Sequence, residues 1–193
     1  MAKTSRSDYP LPVLITATDA LDAFCQRMHG ETFITVDTEF MRERTYWPEL
    51  CLVQVAGENE VAVIDAQADG IDLSSLGVLF ADEAVTKVFH AARQDIEIFV
   101  LRYGDVPRPM FDTPVAAMVA GFGDQVGYDA LVSSLTGGVI DKAHRFSDWS
   151  ARPLSAAQIT YAAADVTHLR DVYVRLSRRL AQENRLSWVA EEM

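Results

Sequence analysis

An apolar strand that ends in two carboxylates is the feature of this sequence that most restricts its fold. Phe33, Ile34 and Val36 are strong strand formers. Asp37 and Glu39 then follow two residues apart, so in a strand they point to the same face. Each acid raises the cost of ionising the other, and Mg²⁺ or Mn²⁺, which prefer oxygen ligands, would remove that cost. The alternative is a pair of ordinary solvated acids at a strand end.

The composition is that of a globular chain with a full core. The length of 193 residues suits one domain, and 49% of the residues are hydrophobic. There is no run of about 18 apolar residues, and the first ten residues lack an apolar signal-peptide core. Cys25 and Cys51 have no metal-binding spacing and are expected to be buried thiols. We therefore expect a cytoplasmic protein that does not enter a membrane.

The formal net charge of −11 bears on the class of partner. It argues against general affinity for duplex nucleic acid, which usually requires a basic face. It does not exclude a nuclease, because a metal-dependent site gathers acids and its cations supply the local positive charge.

The order of predicted elements indicates an α/β fold with a mixed sheet. Residues 33–40, 50–56 and 61–65 form three successive strands, and the four residues 57–60 make a hairpin turn, so these strands form an antiparallel meander. Strands then alternate with helices, and Thr18 or Asp19 is expected to cap the first helix. The other predicted strands cover 13–15, 86–90 and 110–113, and the predicted helices cover 18–29, 76–80, 92–103, 114–121, 128–135 and 155–183. Residues 1–12 are a tail, and 41–48 and 142–153 are loops. A capping box of Ser155 and Gln158 starts the last long helix.

Two further segments carry acids. Asp95 lies in the first turn of the helix that follows the strand 86–90, where an acid interacts favourably with the helix dipole, so the alternative is an acid that only stabilises its helix. Tyr161 and Asp165 are four residues apart, so they lie on one face of the last long helix. Three alanines separate them and allow that helix to approach a sheet closely. The alternative is a solvated aspartate beside a tyrosine that only packs.

Taken together, these motifs resemble a known family. Asp37-Thr38-Glu39-Phe40, Asp95 in a His-Ala-x-x-x-Asp element, and Tyr161-x-x-x-Asp165 are similar to the three exonuclease motifs of the DEDD superfamily. The tyrosine is typical of its DEDDy branch. The resemblance is closest to the ribonuclease D family and spans roughly residues 13–185. It rests also on Arg42-x-Arg44-Thr45-Tyr46, Ile140-Asp141-Lys142 and Ser147-Asp148-Trp149-x-x-Arg152-Pro153-Leu154.

The resemblance implies a ribonuclease H-like exonuclease fold and a reaction at the 3′ end of RNA. Two divalent ions would be bound by Asp37, Glu39, Asp95 and Asp165, with Asp37 bridging both. Tyr161 would orient the attacking water, since an ordinary tyrosine pKa near 10 makes it a weak base. The product would be a nucleoside 5′-monophosphate, from tRNA 3′ processing or RNA turnover. The preference for RNA over DNA comes from the resemblance and not from the residues.

Candidate substrate contacts lie around these acids. Phe40 is expected either to wedge against the terminal base or to lie in the core. Lys142 and Arg152 are expected either to meet phosphates or to be solvated charges. His90 and Gln94 are close to Asp95 in the sequence and are candidates for contacting the terminal sugar, and the alternative for His90 is a histidine that only packs at the end of its strand. Thr38 completes this set of candidates, although it is expected to point to the other face of the sheet.

Two alternative functions remain open at this point. One is a catalytically weak RNA-binding module with the exonuclease fold, and the other is a metal phosphohydrolase acting on small phosphate esters. The complete set of four acids and one tyrosine favours the exonuclease. The helical HRDC domains that usually follow a ribonuclease D catalytic domain are not in this sequence, so we expect residues 1–193 to form a single exonuclease domain. It is expected to act as a monomer on RNA with a single-stranded 3′ end.

Overall fold

A mixed six-stranded sheet forms the centre of the structure, a computed structural model that describes residues 11–43, 45–124 and 126–193. The tail prediction for residues 1–10 and the motif residue Arg44 lie outside these ranges. The strands are β1 (Val13–Ile15), β2 (Phe33–Met41), β3 (Glu49–Ala56), β4 (Val61–Asp65), β5 (Thr86–Phe89) and β6 (Met110–Asp112). The helices are α1 (Thr18–Met28), α2 (Ser74–Ala81), α3 (Arg93–Tyr103), α4 (Thr113–Val119), α5 (Tyr128–Thr136), α6 (Ala156–Gln182) and α7 (Leu186–Glu191).

The strand order is β1-β4-β3-β2-β5-β6. The pairs β2–β3 and β3–β4 are antiparallel, whereas β1–β4, β2–β5 and β5–β6 are parallel. The hairpin between β3 and β4 closes where the Gly57 N–H donates to the Glu60 carbonyl oxygen at 2.9 Å. The predicted meander and the α/β class with a mixed sheet are therefore confirmed.

Helices cover both faces of the sheet because its central strands are apolar on both faces. All five residues of β4 and the last six of β3 are buried, as expected for strands with no solvated side. Helices α1, α2 and α3 contribute to one buried cluster that includes Phe24, Leu76 and Phe99. The long helix α6 covers the opposite face and contacts β2, β3, β4 and β5.

The ends of the helices test the capping predictions. The Ser155 hydroxyl accepts the Gln158 N–H at 3.2 Å, and the Gln158 Oε1 accepts the Ser155 N–H at 3.0 Å, so the capping box of α6 is confirmed. The predicted cap of α1 is wrong, because its N-cap is Ala17 and makes no side-chain bond. The Thr18 hydroxyl instead accepts the Asp72 N–H at 2.9 Å and so ties down the segment before α2.

Strand β2 is longer than predicted. Met41, assigned to a loop from the sequence, pairs with Glu49 and continues the antiparallel ladder. The register shifts between Glu39 and Phe40, as in a β-bulge, so the strand bends just beyond the two acids. None of the described helices combines the length and apolar character that crossing a membrane requires.

Candidate active site

Alternate residues of β2 face the helix α6. The Thr35 hydroxyl donates to the Val166 carbonyl oxygen of α6 at 2.8 Å, and the Phe33 ring lies 4.4 Å from that of Tyr173. Since side chains alternate along a strand, Asp37 and Glu39 share this face. The prediction that the two acids share one face of the strand is thus confirmed, and that face is the one covered by α6.

Helix α6 brings Tyr161 and Asp165 to the two acids. Ala162 and Ala163 are buried against the sheet, and their small side chains let the helix axis approach β2 and β3. The Tyr161 ring packs between His144, at a centroid distance of 5.8 Å, and Trp149, at 6.0 Å. Packing from two sides restricts the ring, so the phenol is held beside the carboxylates.

Asp95 reaches the site from the opposite face of the sheet. It is 7% exposed, and its carboxylate accepts a hydrogen bond from the hydroxyl of Thr38. Thr38 therefore points away from α6, as expected from its place between the two acids. This bond joins β2 to the first turn of α3 and fixes the position of Asp95, the acid of the second motif.

The turn before α3 depends on a residue that the sequence reasoning missed. Ala91 has a φ of +60°, which is unusual for a residue with a Cβ atom. The Asp112 carboxylate accepts the N–H groups of Ala91 at 2.7 Å and of Ala92 at 3.3 Å, which stabilises the turn. An acid at the end of a strand was the signal in the sequence, and it is the same signal that singled out Asp37.

Burial is the main cause of unusual proton affinities in the acidic cluster. It raises the pKa of Glu39 to about 8, that of Asp165 to about 7 and that of Asp95 to about 6. It also raises the pKa of Asp37 well above the usual range, and the charges of Asp95, Asp165 and Glu39 raise it further. Near neutral pH the cluster therefore tends to retain protons when no cation neutralises it.

The donor set of the cluster fits divalent cations that prefer oxygen ligands. In the described ranges, no ion pair involves Asp37, Glu39, Asp95 or Asp165, so none of the four is directly paired with a basic side chain there. Within those ranges no three carboxylate, imidazole or thiolate side chains are already arranged as a formed metal site. The four oxygen donors suit Mg²⁺ or Mn²⁺.

A cleft of about 420 Å³ opens beside the acids. Its lining includes Asp37, Tyr161 and Asp165 together with the predicted contact residues His90 and Lys142. The Lys142 ammonium lies 2.7 Å from Asp129, and both side chains are about half exposed. Such an exposed pair is weak, so the ammonium can exchange this partner for a phosphate.

Tyr128 lines the cleft and is another residue that the sequence reasoning missed. Its hydroxyl donates to the backbone carbonyl oxygen of Asp165, and its ring lies 4.7 Å from that of His90. The His90 Nδ1 in turn lies 2.8 Å from the Thr113 hydroxyl, and burial lowers the pKa of His90 to about 4. A neutral imidazole and a phenol therefore form one wall of the cleft. Tyr128 begins α5, and nothing in its local sequence indicates this role.

Hydrogen bonds within the protein hold the Arg152 guanidinium, which from the sequence was expected either to meet a phosphate or to be a solvated charge. Its five N–H donors all have acceptors, namely both carboxylate oxygens of Asp65 at 2.7 and 2.6 Å and the carbonyls of Cys51, Trp149 and Ala151. The guanidinium thus joins the segment before α6 to β3 and β4. These bonds indicate a structural role for the guanidinium, and the substrate role of Arg152 stays a prediction.

The two remaining predicted contacts differ in burial. Phe40 is partly buried and packs against the core on the α1–α3 face, which agrees with the core alternative. Gln94 is exposed in the first turn of α3, beside Asp95. The substrate roles of Phe40, Gln94 and Thr38 stay predictions.

Four acids from β2, α3 and α6 converge at one end of β2 in a mixed sheet. This arrangement is typical of a nuclease domain. Residues 12–181 match a family model described as 3′-5′ exonuclease, and the chain belongs to this family. It is similar to the ribonuclease D of Acidiphilium cryptum (strain JF-5), with 73% identity over 184 residues that cover 95% of this chain and 47% of the relative. The resemblance to ribonuclease D is thereby confirmed, and the chain spans about half the length of the curated relatives it matches.

Solved structures agree with this assignment. The crystal structure of Escherichia coli RNase D, described as an exoribonuclease involved in structured RNA processing, matches with a TM-score of 0.89 and 34% identity. The match covers 96% of this chain and 48% of that one. Brucella melitensis NrnC with bound Mg²⁺ matches with a TM-score of 0.73 and 29% identity, covering 84% of this chain and 80% of that chain. NrnC bound to pGG matches with a TM-score of 0.78 and 28% identity, covering 94% of this chain and 87% of that chain.

Proposed function

We propose that this chain is the catalytic domain of a 3′-5′ exoribonuclease of ribonuclease D type that requires two divalent metal ions. The observation that carries the proposal is the convergence of Asp37, Glu39, Asp95 and Asp165, all with raised pKa, beside Tyr161. A cleft large enough for a nucleotide opens next to them. The Mg²⁺ in NrnC and the pGG bound to NrnC support the choice of metal and of nucleic-acid substrate.

The acids would hold the ions as ligands. By the family resemblance, Asp37 on β2 would contribute to holding both ions, Glu39 and Asp165 would help to hold the ion that activates the water, and Asp95 would help to hold the other. When bound, such ions lower the pKa of the attacking water and stabilise the leaving 3′ oxygen. Mg²⁺ or Mn²⁺ would serve.

Tyr161 would orient the attacking water without deprotonating it. Burial raises the pKa of Tyr161 to about 12, and the charge of Asp165 adds to this effect. The phenol therefore keeps its hydrogen at neutral pH and is a hydrogen-bonding group, not a base. This agrees with the expectation from the sequence that a tyrosine alone would be a weak base.

The cleft next to Tyr161 would receive the 3′-terminal nucleotide of a single-stranded RNA. Lys142 is available for a phosphate, and the neutral His90 can form a hydrogen bond to the sugar. The product would be a nucleoside 5′-monophosphate. The activity would serve tRNA 3′ processing or RNA turnover. A cytoplasmic location is proposed because Cys25 and Cys51 are buried free thiols that suit a reducing compartment. The monomeric state stays a prediction.

The activity is tested with a single-stranded RNA labelled at its 5′ end and incubated with Mn²⁺, with and without EDTA. We expect a ladder that shortens by single nucleotides and disappears in EDTA. Endonucleolytic fragments, or cleavage that survives the chelator, would refute the proposal. Binding of RNA without cleavage would favour the RNA-binding module, and turnover of a mononucleotide ester alone would favour a small-ester phosphohydrolase.

Matched variants locate the activity. Asp37→Asn and Asp165→Asn should abolish cleavage while the far-ultraviolet circular dichroism stays that of the parent. Asp69→Asn changes an exposed acid outside the cleft and should retain full activity. Parent-like cleavage by either cleft variant would remove that residue from the site.

A further inference from the structure

Gln54 is a buried polar side chain within an otherwise apolar stretch of β3. The residue is 0% exposed, and neither its Oε1 nor its Nε2 has a hydrogen-bond partner among the described residues. Leaving a buried polar group unpaired costs about 1–3 kcal/mol, so such groups are rare and call for an explanation. An apolar residue of similar size would fill the same space without this cost.

The strand register places Gln54 next to the acidic cluster. Gln54 is the cross-strand partner of Asp37 in the antiparallel pair of β2 and β3. Directly opposed residues share a face of the sheet, with Cβ atoms about 4.5–5.5 Å apart. Its partner on the other side is Val63 of β4, which is apolar. Of the two cross-strand partners of Gln54, only Asp37 therefore carries a group that can form a hydrogen bond with its amide.

We propose that Gln54 is a positioning residue for Asp37, whose carboxylate accepts a hydrogen bond from the Gln54 Nε2 when it holds a divalent cation. This inference rests on the proposed function. A carboxylate that bridges two ions must keep a fixed orientation, and ligating carboxylates are themselves hydrogen-bonded by outer residues. An amide can donate this bond without adding positive charge that would compete with the ions, whereas a lysine or arginine would add it.

Substitution of Gln54 distinguishes a positioning residue from one that only fills the core, because only the first affects the affinity for metal ions. Gln54→Met keeps the approximate shape and removes both polar atoms. If Gln54 positions Asp37, the variant without metal should be as stable as the parent or more stable, because an unpaired amide is lost. Its affinity for Mn²⁺ should fall by about 10–100-fold, as is typical when outer partners of metal ligands are removed.

The first experiment measures Mn²⁺ affinity by isothermal titration calorimetry and Tm in EDTA for the parent and Gln54→Met. The matched control is Thr35→Val, which removes the 2.8 Å bond to Val166 on the same face of the sheet. The control should lower Tm and keep the parent affinity for Mn²⁺. A Gln54→Met protein that binds Mn²⁺ as tightly as the parent would overturn the inference.

A second measurement needs no variant. In the ¹⁵N-labelled parent, the side-chain amide signals of Gln54 should shift downfield when Mg²⁺ is titrated in, as expected for a new bond to a carboxylate. Signals that stay unchanged while the protein binds Mg²⁺ would overturn the inference even if Gln54→Met failed to fold. A parent that binds neither Mg²⁺ nor Mn²⁺ would instead refute the proposed function.

Discussion

The hydroxyl of Thr38 donates a hydrogen bond to the carboxylate of Asp95, so two of the acidic motifs are joined directly across 57 positions of the chain. Thr38 is 6% exposed, and the bond lies on the face of β2 opposite to Asp37 and Glu39. The residue between the two acids of β2 thus orients the third acid, which comes from α3.

Thr38→Val should change how activity depends on pH. The Thr38 hydrogen bond lowers the pKa of Asp95, which burial raises to about 6. Without the bond the carboxylate retains its proton to higher pH, and a protonated acid is a poor metal ligand. We expect the acidic limb of the kcat/KM profile to move to higher pH and the free energy of unfolding to fall by about 1–2 kcal/mol. A pH profile identical to that of the parent would contradict this role of Thr38.

Tyr161→Phe should lower kcat more than it raises KM. The variant keeps the ring that packs between His144 and Trp149 and loses only the hydroxyl that orients the water. A loss of about 10²-fold in kcat is the low end expected for such a group. Because the pKa of Tyr161 is about 12, deprotonation of the phenol should not appear in the parent profile between pH 6 and 9, as checked in single-turnover assays. An unchanged kcat would leave Tyr161 as a packing residue.

Stability without metal should fall as the pH rises from about 4 to 8. Glu39 and Asp165 have pKa values of about 8 and 7 in the folded state, above those of unfolded carboxylates. The folded state therefore binds more protons in this window, and raising the pH destabilises it. Each pH unit by which folding raises the pKa of Glu39 lowers the stability at high pH by about 1.4 kcal/mol, or by about 3–6 °C in Tm for a domain of this size.

Thermal scans at pH 5 and pH 8, in EDTA and in Mg²⁺, check this prediction. The stabilisation by Mg²⁺ should be larger at pH 8, where fewer protons compete for the carboxylates. Glu39→Gln removes one of these groups and should flatten the fall measured in EDTA. A Tm in EDTA that rises between pH 5 and pH 8 would have the wrong sign.

Arg152 and Lys142 should respond in opposite ways to truncation. Arg152→Ala leaves the 7% exposed carboxylate of Asp65 without its partner and should cost about 3 kcal/mol of stability. Lys142→Ala breaks only an exposed pair with Asp129, so its Tm should stay near that of the parent while KM for RNA rises. Urea denaturation and steady-state kinetics on both variants separate the effects. A Lys142→Ala variant with the parent KM would remove Lys142 from the substrate path.

The sequence predicted the orientation of a side chain wherever that orientation depends only on the residue's position within its strand or helix. The alternation of β2 and the four-residue spacing in α6 placed Asp37, Glu39, Tyr161 and Asp165 on the correct faces. The antiparallel meander followed from a turn that the local sequence determines. These are short-range rules, and they were sufficient for the meander and for the faces on which these four residues lie, whereas the strand order of the whole sheet was not predicted from them.

Features that depend on contacts between distant segments could not be obtained in this way. Tyr128 and Asp165 meet only because α5 packs on α6, and Arg152 reaches Asp65 across 87 positions. The cap of α1 failed for the same reason, since the Thr18 hydroxyl is used by Asp72. In each case a hydrogen-bonding group has a choice of partners, and the tertiary fold decides between them.

The 27-residue helix α6 also determines what a shortened reading frame would produce. It carries Tyr161 and Asp165 near its start and contributes the buried Leu176 and Leu180 near its end. A stop codon within its second half would remove part of the core while leaving every proposed catalytic side chain in the chain. Such alleles should yield polypeptides that cellular proteases degrade and should not accumulate as folded, inactive enzyme that competes for RNA.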